Sequence, residues 1–126
     1  MNPTLPKKGQ LFHTEMRSEA PSKTKAFLSQ VFGWVLQDTP HPDYKLFETP
    51  GGFEGHIGPV PAEDKQPSAT NYILVDDIEA AEHSVTEGGG EILAPRGEAP
   101  GQGYYTYFKE PGGIQMVLWQ NINGQK

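Results

Sequence analysis

Two short stretches carry the residue types that move protons near neutral pH. In LFHTEMR, Leu11–Arg17, the residues His13, Glu15 and Arg17 fall at every second position, and in FEGHI, Phe53–Ile57, Glu54 and His56 do the same. Side chains alternate along a strand, so each stretch, if extended, gathers its polar set on one face. Imidazole titrates in the physiological range, and a carboxylate beside it can orient the ring or take its proton. His13 and His56 are therefore the catalytic candidates, with Glu15 as orienting or basic partner. The pair has three chemical uses: a metal-binding pair, a proton-transfer pair near pH 7, or hydrogen-bond donors to a substrate. The structural alternative is that both are polar residues satisfied in a wet interior. Two imidazoles alone chelate poorly, so a metal held by His13 and His56 would need Glu15 or Glu54 to complete it. Residues two apart on a strand are about 7 Å apart at the backbone, an awkward spacing for two ligands to one ion. Glu15 is then better read as a partner for Arg17 or a histidine. His41, between Pro40 and Pro42, and His83, between Glu82 and Ser84, read as solvent-facing.

These candidates need strands to hold them, and the chain supplies strands in a repeating order. After Leu11–Arg17, Pro21 suits a first helical turn, and Ala20, Thr24, Phe27, Leu28 and Val31 recur at helical spacing up to Gly33. Trp34–Leu36, Tyr44–Glu48 and Phe53–Ile57 read as strands between turn-forming Pro and Gly. Residues 59–68, PVPAEDKQPS, read as a connector. The order then begins again. Asn71–Val75 is a strand, Asp76 with Glu79 is a helix start of capping type, and Ile78, Ala81 and Val85 mark a helical face ended by Gly88-Gly89-Gly90. Glu91–Ala94, Tyr104–Phe108 and Ile114–Trp119 are three more strands. Adding 61 to Tyr44–Gly52, YKLFETPGG, gives Tyr105–Gly113, YTYFKEPGG, with five identities in nine positions. Around the helices the offset is nearer 57, placing Gly33 on Gly90 and Leu36 on Leu93.

Composition bounds the rest. The 126 residues hold 10 Lys+Arg against 16 Asp+Glu, a formal charge of −6, with 35% hydrophobic residues and no Cys. That is enough chain for one domain with its own core. It excludes disulfide, thiolate-metal and Cys-nucleophile chemistry, and no basic face for nucleic acid is visible. Lys7-Lys8 is the one adjacent basic pair. No apolar run approaches the roughly 18 residues of a membrane span, and the lead-in, residues 1–8, has no signal-peptide core. A cytoplasmic protein without membrane or nucleic-acid partners is expected. Asn2-Pro3-Thr4 is no glycosylation signal, and Gly101-Gln102-Gly103 is no dinucleotide fingerprint but a mobile loop or a turn.

The duplicated βαβββ pattern resembles the vicinal oxygen chelate superfamily, that of glyoxalase I, bleomycin-resistance proteins and extradiol dioxygenases. LFHTEM resembles the family's first strand with its His, and AFLSQVFGW its first helix end. VDDIEAAEHSVTEGGGEI is similar to the segment opening the second module, and GQGYYTYFKEPGGIQMVLWQ to the final hairpin, with Glu110 where Asp is usual and Gly112 where a bulkier residue is common. The resemblance covers residues 10–120. It implies an α+β fold of two tandem βαβββ modules, residues 10–58 and 69–120, forming a curved mixed sheet around an open barrel-like cavity within a single domain, residues 1–126. It also implies a homodimer.

In metal-dependent relatives, four inward side chains from the first and last strands of each module hold one divalent ion. His13 falls on the first of these positions and His56 on the second. The 57-residue offset carries His13 to Thr70, with Tyr72 as the nearest alternative, and the 61-residue offset carries His56 to Val117, which cannot ligate. A degenerate metal site follows, with no cofactor expected. The expected function is binding of a small organic molecule, with lyase or isomerase activity resting on His13, His56 and Glu15. Arg17, Glu54, Thr70, Tyr72, Gln115 and Trp119 are the ligand-binding candidates, and Val117 is read as core. The alternatives are sequestration of a hydrophobic or antibiotic-like compound without turnover, and a divalent-metal lyase or dioxygenase whose site Glu15 or a second chain completes.

Overall fold

The computed structural model describes residues 8–61 and 66–122. Most of the lead-in and the middle of the 59–68 connector lie outside the described residues. The chain divides into two compact units, His13–Thr70 and Asn71–Lys126 together with Met1–Phe12. No helix among the described residues is long and apolar enough to cross a membrane.

The first unit is built from β1 (Leu11–Ser18, whose first two residues belong to the second unit), α1 (Pro21–Phe32), β2 (Val35–Asp38), β3 (Lys45–Glu48) and β4 (Glu54–Pro59). Its strands lie in the order β2-β3-β4-β1, antiparallel except for the parallel pair β4-β1. Pro21 opens α1, and Gly33 closes it at φ 74°, a left-handed conformation that glycine adopts without strain. There the N–H of Gly33 donates to Ser29 O and that of Trp34 to Leu28 O. Trp34, expected in the strand, lies before it, and its ring stacks on Phe47 at 4.9 Å. Lys25 of α1 reaches Asp38 at 2.9 Å, and Lys45 reaches the same carboxylate at 3.1 Å. These contacts set α1 on the face that also carries Phe47 and Ile57, the unit's two buried apolar side chains. Among the described residues the opposite face has no helix, and it carries the polar candidates.

Gly55 is required for this packing. A methyl group there would run into the Thr14 carbonyl oxygen and the Phe47 ring. Because a backbone atom cannot yield, Gly55→Ala is expected to cost about 2 kcal/mol, read as a lowered urea midpoint at unchanged slope.

The second unit is built on β5 (Ser68–Leu74, whose first three residues belong to the first unit), α2 (Ile78–Glu87), β6 (Glu91–Ile92), β7 (Gly97–Ala99), β8 (Gly103–Lys109) and β9 (Gln115–Asn121). The order is β5-β9-β8-β6, with β7 also on β8. Ile78, Phe108 and Leu118 form a buried cluster under α2, joined by Ile73, Val85 and Met116. Burial of Ile78 fixes where the helix starts, so the cap is Asp77 and not Asp76. The Asp77 carboxylate accepts from Ala80 N at 3.1 Å. Asp77→Ala should therefore lower stability by about 1 kcal/mol, whereas Asp76→Ala, at an exposed site, should change the melting temperature little.

Strand β7 was not expected, because GEA between two prolines has no β-branched or aromatic residue. Tertiary packing makes it: Gly97 has no side chain, and the Tyr105 ring fills that space. Gly101 and Gln102 lie in the turn joining β7 to β8 and Gly103 begins β8, with Gln102 N donating to Ala99 O at 2.9 Å.

Candidate functional site

Parallel pairing of β1 with β4 places Glu15 opposite His56 and His13 opposite Glu54. The two histidines meet on the diagonal, with His13 Nε2 at 2.8 Å from His56 Nδ1 and ring centroids 5.0 Å apart. The other nitrogen of His56, Nε2, lies 3.6 Å from Glu15 Oε2. That oxygen also accepts from Arg17 Nε at 3.3 Å, with the Arg17 terminal nitrogen at the same distance. Arg17, Glu15, His56 and His13 thus form one chain of polar contacts across the helix-free face. With the His56 proton on Nε2, toward the carboxylate, Nδ1 accepts from His13 Nε2–H.

Glu15 is only 9% exposed, and His13, Arg17 and His56 are half-buried. Burial, with the neighbouring His56 adding to it, lowers the His13 pKa to about 4 against a smaller opposing pull from Glu15. Burial works against ionisation of Glu15 too, but hydrogen bonding from His56 and the Arg17 charge outweigh it and bring the carboxyl to about 2. At pH 7, then, His13 is neutral and Glu15 charged. Desolvation keeps His13 a neutral donor to His56 at pH 7.

Tyr44 belongs to the site and was missed. Its ring stacks on His56 at 6.0 Å, and His41 meets it edge-on at 4.8 Å. Gly58 permits this, since a Cβ there would stand 3.0 Å from the Tyr44 ring. The signal was available: Tyr44, Leu46 and Glu48 alternate through YKLFE as His13 and Glu15 do in their strand. Glu54 is exposed on β4, and His41 and His83 are exposed as expected.

The remaining candidates lie on β5 and β9. Tyr72 is opposite Val117 on the helix-free face of the second unit, and Tyr72 and Trp119 have ring centroids 6.2 Å apart. Tyr105 and Tyr107 of β8 share that face. Trp119 Nε1 donates to Asn121 Oδ1 at 2.7 Å, Thr70 is half-buried, and Gln115 is exposed at the start of β9. Val117 is fully buried among these neighbours.

The donors do not fit a resident metal ion. Among the described residues no three His, Cys, Asp or Glu form a group that could hold one. Glu15 lies at Nε2 of His56, whereas His13 lies at Nδ1, so the carboxylate is on the wrong side of the ring to join the two histidines on one ion. The final ligand position holds the hydrocarbon of Val117.

The Glyoxalase/Bleomycin resistance protein/Dioxygenase superfamily profile matches residues 10–118, and the chain belongs to that superfamily. The glyoxylase-named protein CFP32 of Mycobacterium tuberculosis is 29% identical over 113 residues, 84% of this chain and 43% of that protein. The chain thus spans less than half the length of this curated relative. Among solved structures, the Mn(II)-bound glyoxalase from Novosphingobium aromaticivorans aligns with a TM-score of 0.68 at 16% identity, over 94% of this chain and 40% of that one. Methylmalonyl-CoA epimerase from Mycobacterium tuberculosis aligns with a TM-score of 0.66 at 13% identity, over 93% and 92%. At such identities the likeness is one of fold, an α+β arrangement with two helices and nine strands among the described residues.

Proposed function

We propose that this chain binds a small organic molecule and transfers a proton on it through the His13–His56 pair, a lyase or isomerase reaction with no metal resident at that pair. The observation that carries this reading is the 2.8 Å contact between the imidazoles, with Glu15 on the far nitrogen of His56. Neutral His13 gives its one N–H to His56, so it acts on the bound group as a base, through the lone pair of Nδ1. A proton taken up by the pair leaves a cation that ionised Glu15 compensates, while Arg17 keeps Glu15 charged and in place. Tyr44 covers one side of the His56 ring and limits water there. The glyoxylase-named relative supports the reaction class.

The test is wash-in of solvent deuterium, followed by mass spectrometry, across a panel of small carbonyl compounds with an acidic C–H. Wild-type protein should catalyse exchange in at least one of them, and a His13→Asn/His56→Asn variant should not. Exchange that survives loss of both imidazoles overturns the reading.

A second reading, capture of an aromatic or hydrophobic compound without turnover, is favoured by Tyr72, Tyr105, Tyr107 and Trp119 on one helix-free face. A bound compound recovered unchanged after prolonged incubation distinguishes it.

A further inference from the structure

On the helix-free face of the first unit, beside His13, lies a groove of about 220 Å³ lined by His13, Val35, Gln37, Leu46, Glu48 and Glu54, with backbone from the strands between. Its volume is below the roughly 300 Å³ at which pockets for drug-sized ligands begin, so it suits a small molecule or one arm of a larger one. Its apolar part is open: Val35 is 61% exposed and Leu46 47%. Register places Val35 opposite Glu48, Gln37 opposite Leu46, and Glu48 opposite Glu54, so all lie on one face.

The charge of this lining is one-sided. Glu48 and Glu54 are direct cross-strand partners, an arrangement of like charges that disfavours the strand pair. Neither carboxylate has an ion-pair or hydrogen-bond partner among the described residues, whereas Glu15, Asp38, Glu82 and Glu91 each have a basic one. No Lys or Arg lines the groove. Arg17 shares the face but is engaged by Glu15, and Lys45 lies on the opposite face with Asp38.

We infer that the groove takes the cationic end of an amphipathic amine, its alkyl portion on Val35 and Leu46 and its ammonium between Glu48 and Glu54. An anionic ligand would meet two uncompensated carboxylates there and is disfavoured. This inference rests on the proposed function only in that the groove and the proton-transfer chain share His13, which would set the reacting part of an amine-bearing substrate beside the imidazoles.

The probes are n-hexylammonium and hexanoate, of like length and opposite charge, titrated into the ¹⁵N-labelled chain at low ionic strength. Hexylammonium should bind at least tenfold more tightly, shift the amides of Val35, Leu46 and Glu54, and weaken as salt is added. The Glu48→Gln/Glu54→Gln variant, its fold verified by thermal melting, should lose that preference. Equal binding of both probes, no binding of either, or a preference that survives the double substitution would overturn the inference. The two proposals fail separately. Deuterium exchange that depends on the histidines without amine preference removes only the ligand class, and amine preference without that exchange removes only the proton-transfer reading.

Discussion

Glu15→Gln is expected to lower stability at pH 7 by about 2–3 kcal/mol, and the deficit should shrink as the medium is acidified. Removing one partner of a buried ion pair costs more than the pair itself contributes, because the remaining charge loses its compensation. Here the charge that loses it is Arg17, which is only partly buried, while His56 loses the carboxylate beside its Nε2, so the loss falls below the 3–5 kcal/mol of a fully buried pair. The sign of the pH dependence follows from the Glu15 pKa, about 2 when folded against an ordinary 4.5. Its stabilisation is complete above pH 4.5 and is lost as the pH falls toward 2. His13 acts over a higher window. Its pKa of about 4 lies below the ordinary 6.5, so between those values the unfolded chain takes up a proton that the folded chain refuses, and folding weakens as pH falls. Each group contributes about 3 kcal/mol at most. Wild type should therefore lose stability in two stages, from pH 6.5 to 4 and from 4.5 downward, and in Glu15→Gln the second should be smaller, the remainder coming from Asp38, Glu82 and Glu110, whose carboxyls are also held below the ordinary range. Thermal melts from pH 7.5 to 3 read this directly. A deficit that stays constant over that range would mean the Glu15 charge contributes nothing and only its shape matters.

The second large effect is on proton transfer. His56→Asn should slow catalysed exchange by about 10²–10⁴-fold, the range for loss of a general acid–base group. His13→Asn should do nearly as much, and the double substitution little more than either alone. Residues that pass one proton act as a unit, so their effects do not add. The cycle is measured as initial exchange rates of the three variants and wild type. Additive losses would show two independent roles, with the 2.8 Å contact a structural hydrogen bond only.

How much of this was legible beforehand follows from which interactions are local. Alternation in LFHTEMR puts His13, Glu15 and Arg17 on one face whatever the strand pairs with, because the period of two is a property of the extended chain. The helix end at Gly33 and the turn at Gly51-Gly52 are equally local, resting on backbone conformations glycine adopts without strain. The repeat at an offset of 61 shows the duplicated unit before any contact is known. Val117, placed by that offset where a ligand would stand, needed no structure to be ruled out as a donor.

Tertiary structure decided what pairing decides. That His13 meets Nδ1 of His56 while Glu15 meets Nε2 depends on the parallel register of two strands some 40 residues apart. A shift of one residue would have turned one set to the other face. Desolvation, which makes His13 a neutral donor at pH 7, is likewise a property of the surroundings. β7 exists because Tyr105 covers Gly97, and the cap moved to Asp77 because Ile78 is buried. The sequence by itself determined which side chains were available and which face of each strand they share. Only the folded strands decided which nitrogen touches which oxygen, because hydrogen bonding and burial act over a few ångströms and across long stretches of chain.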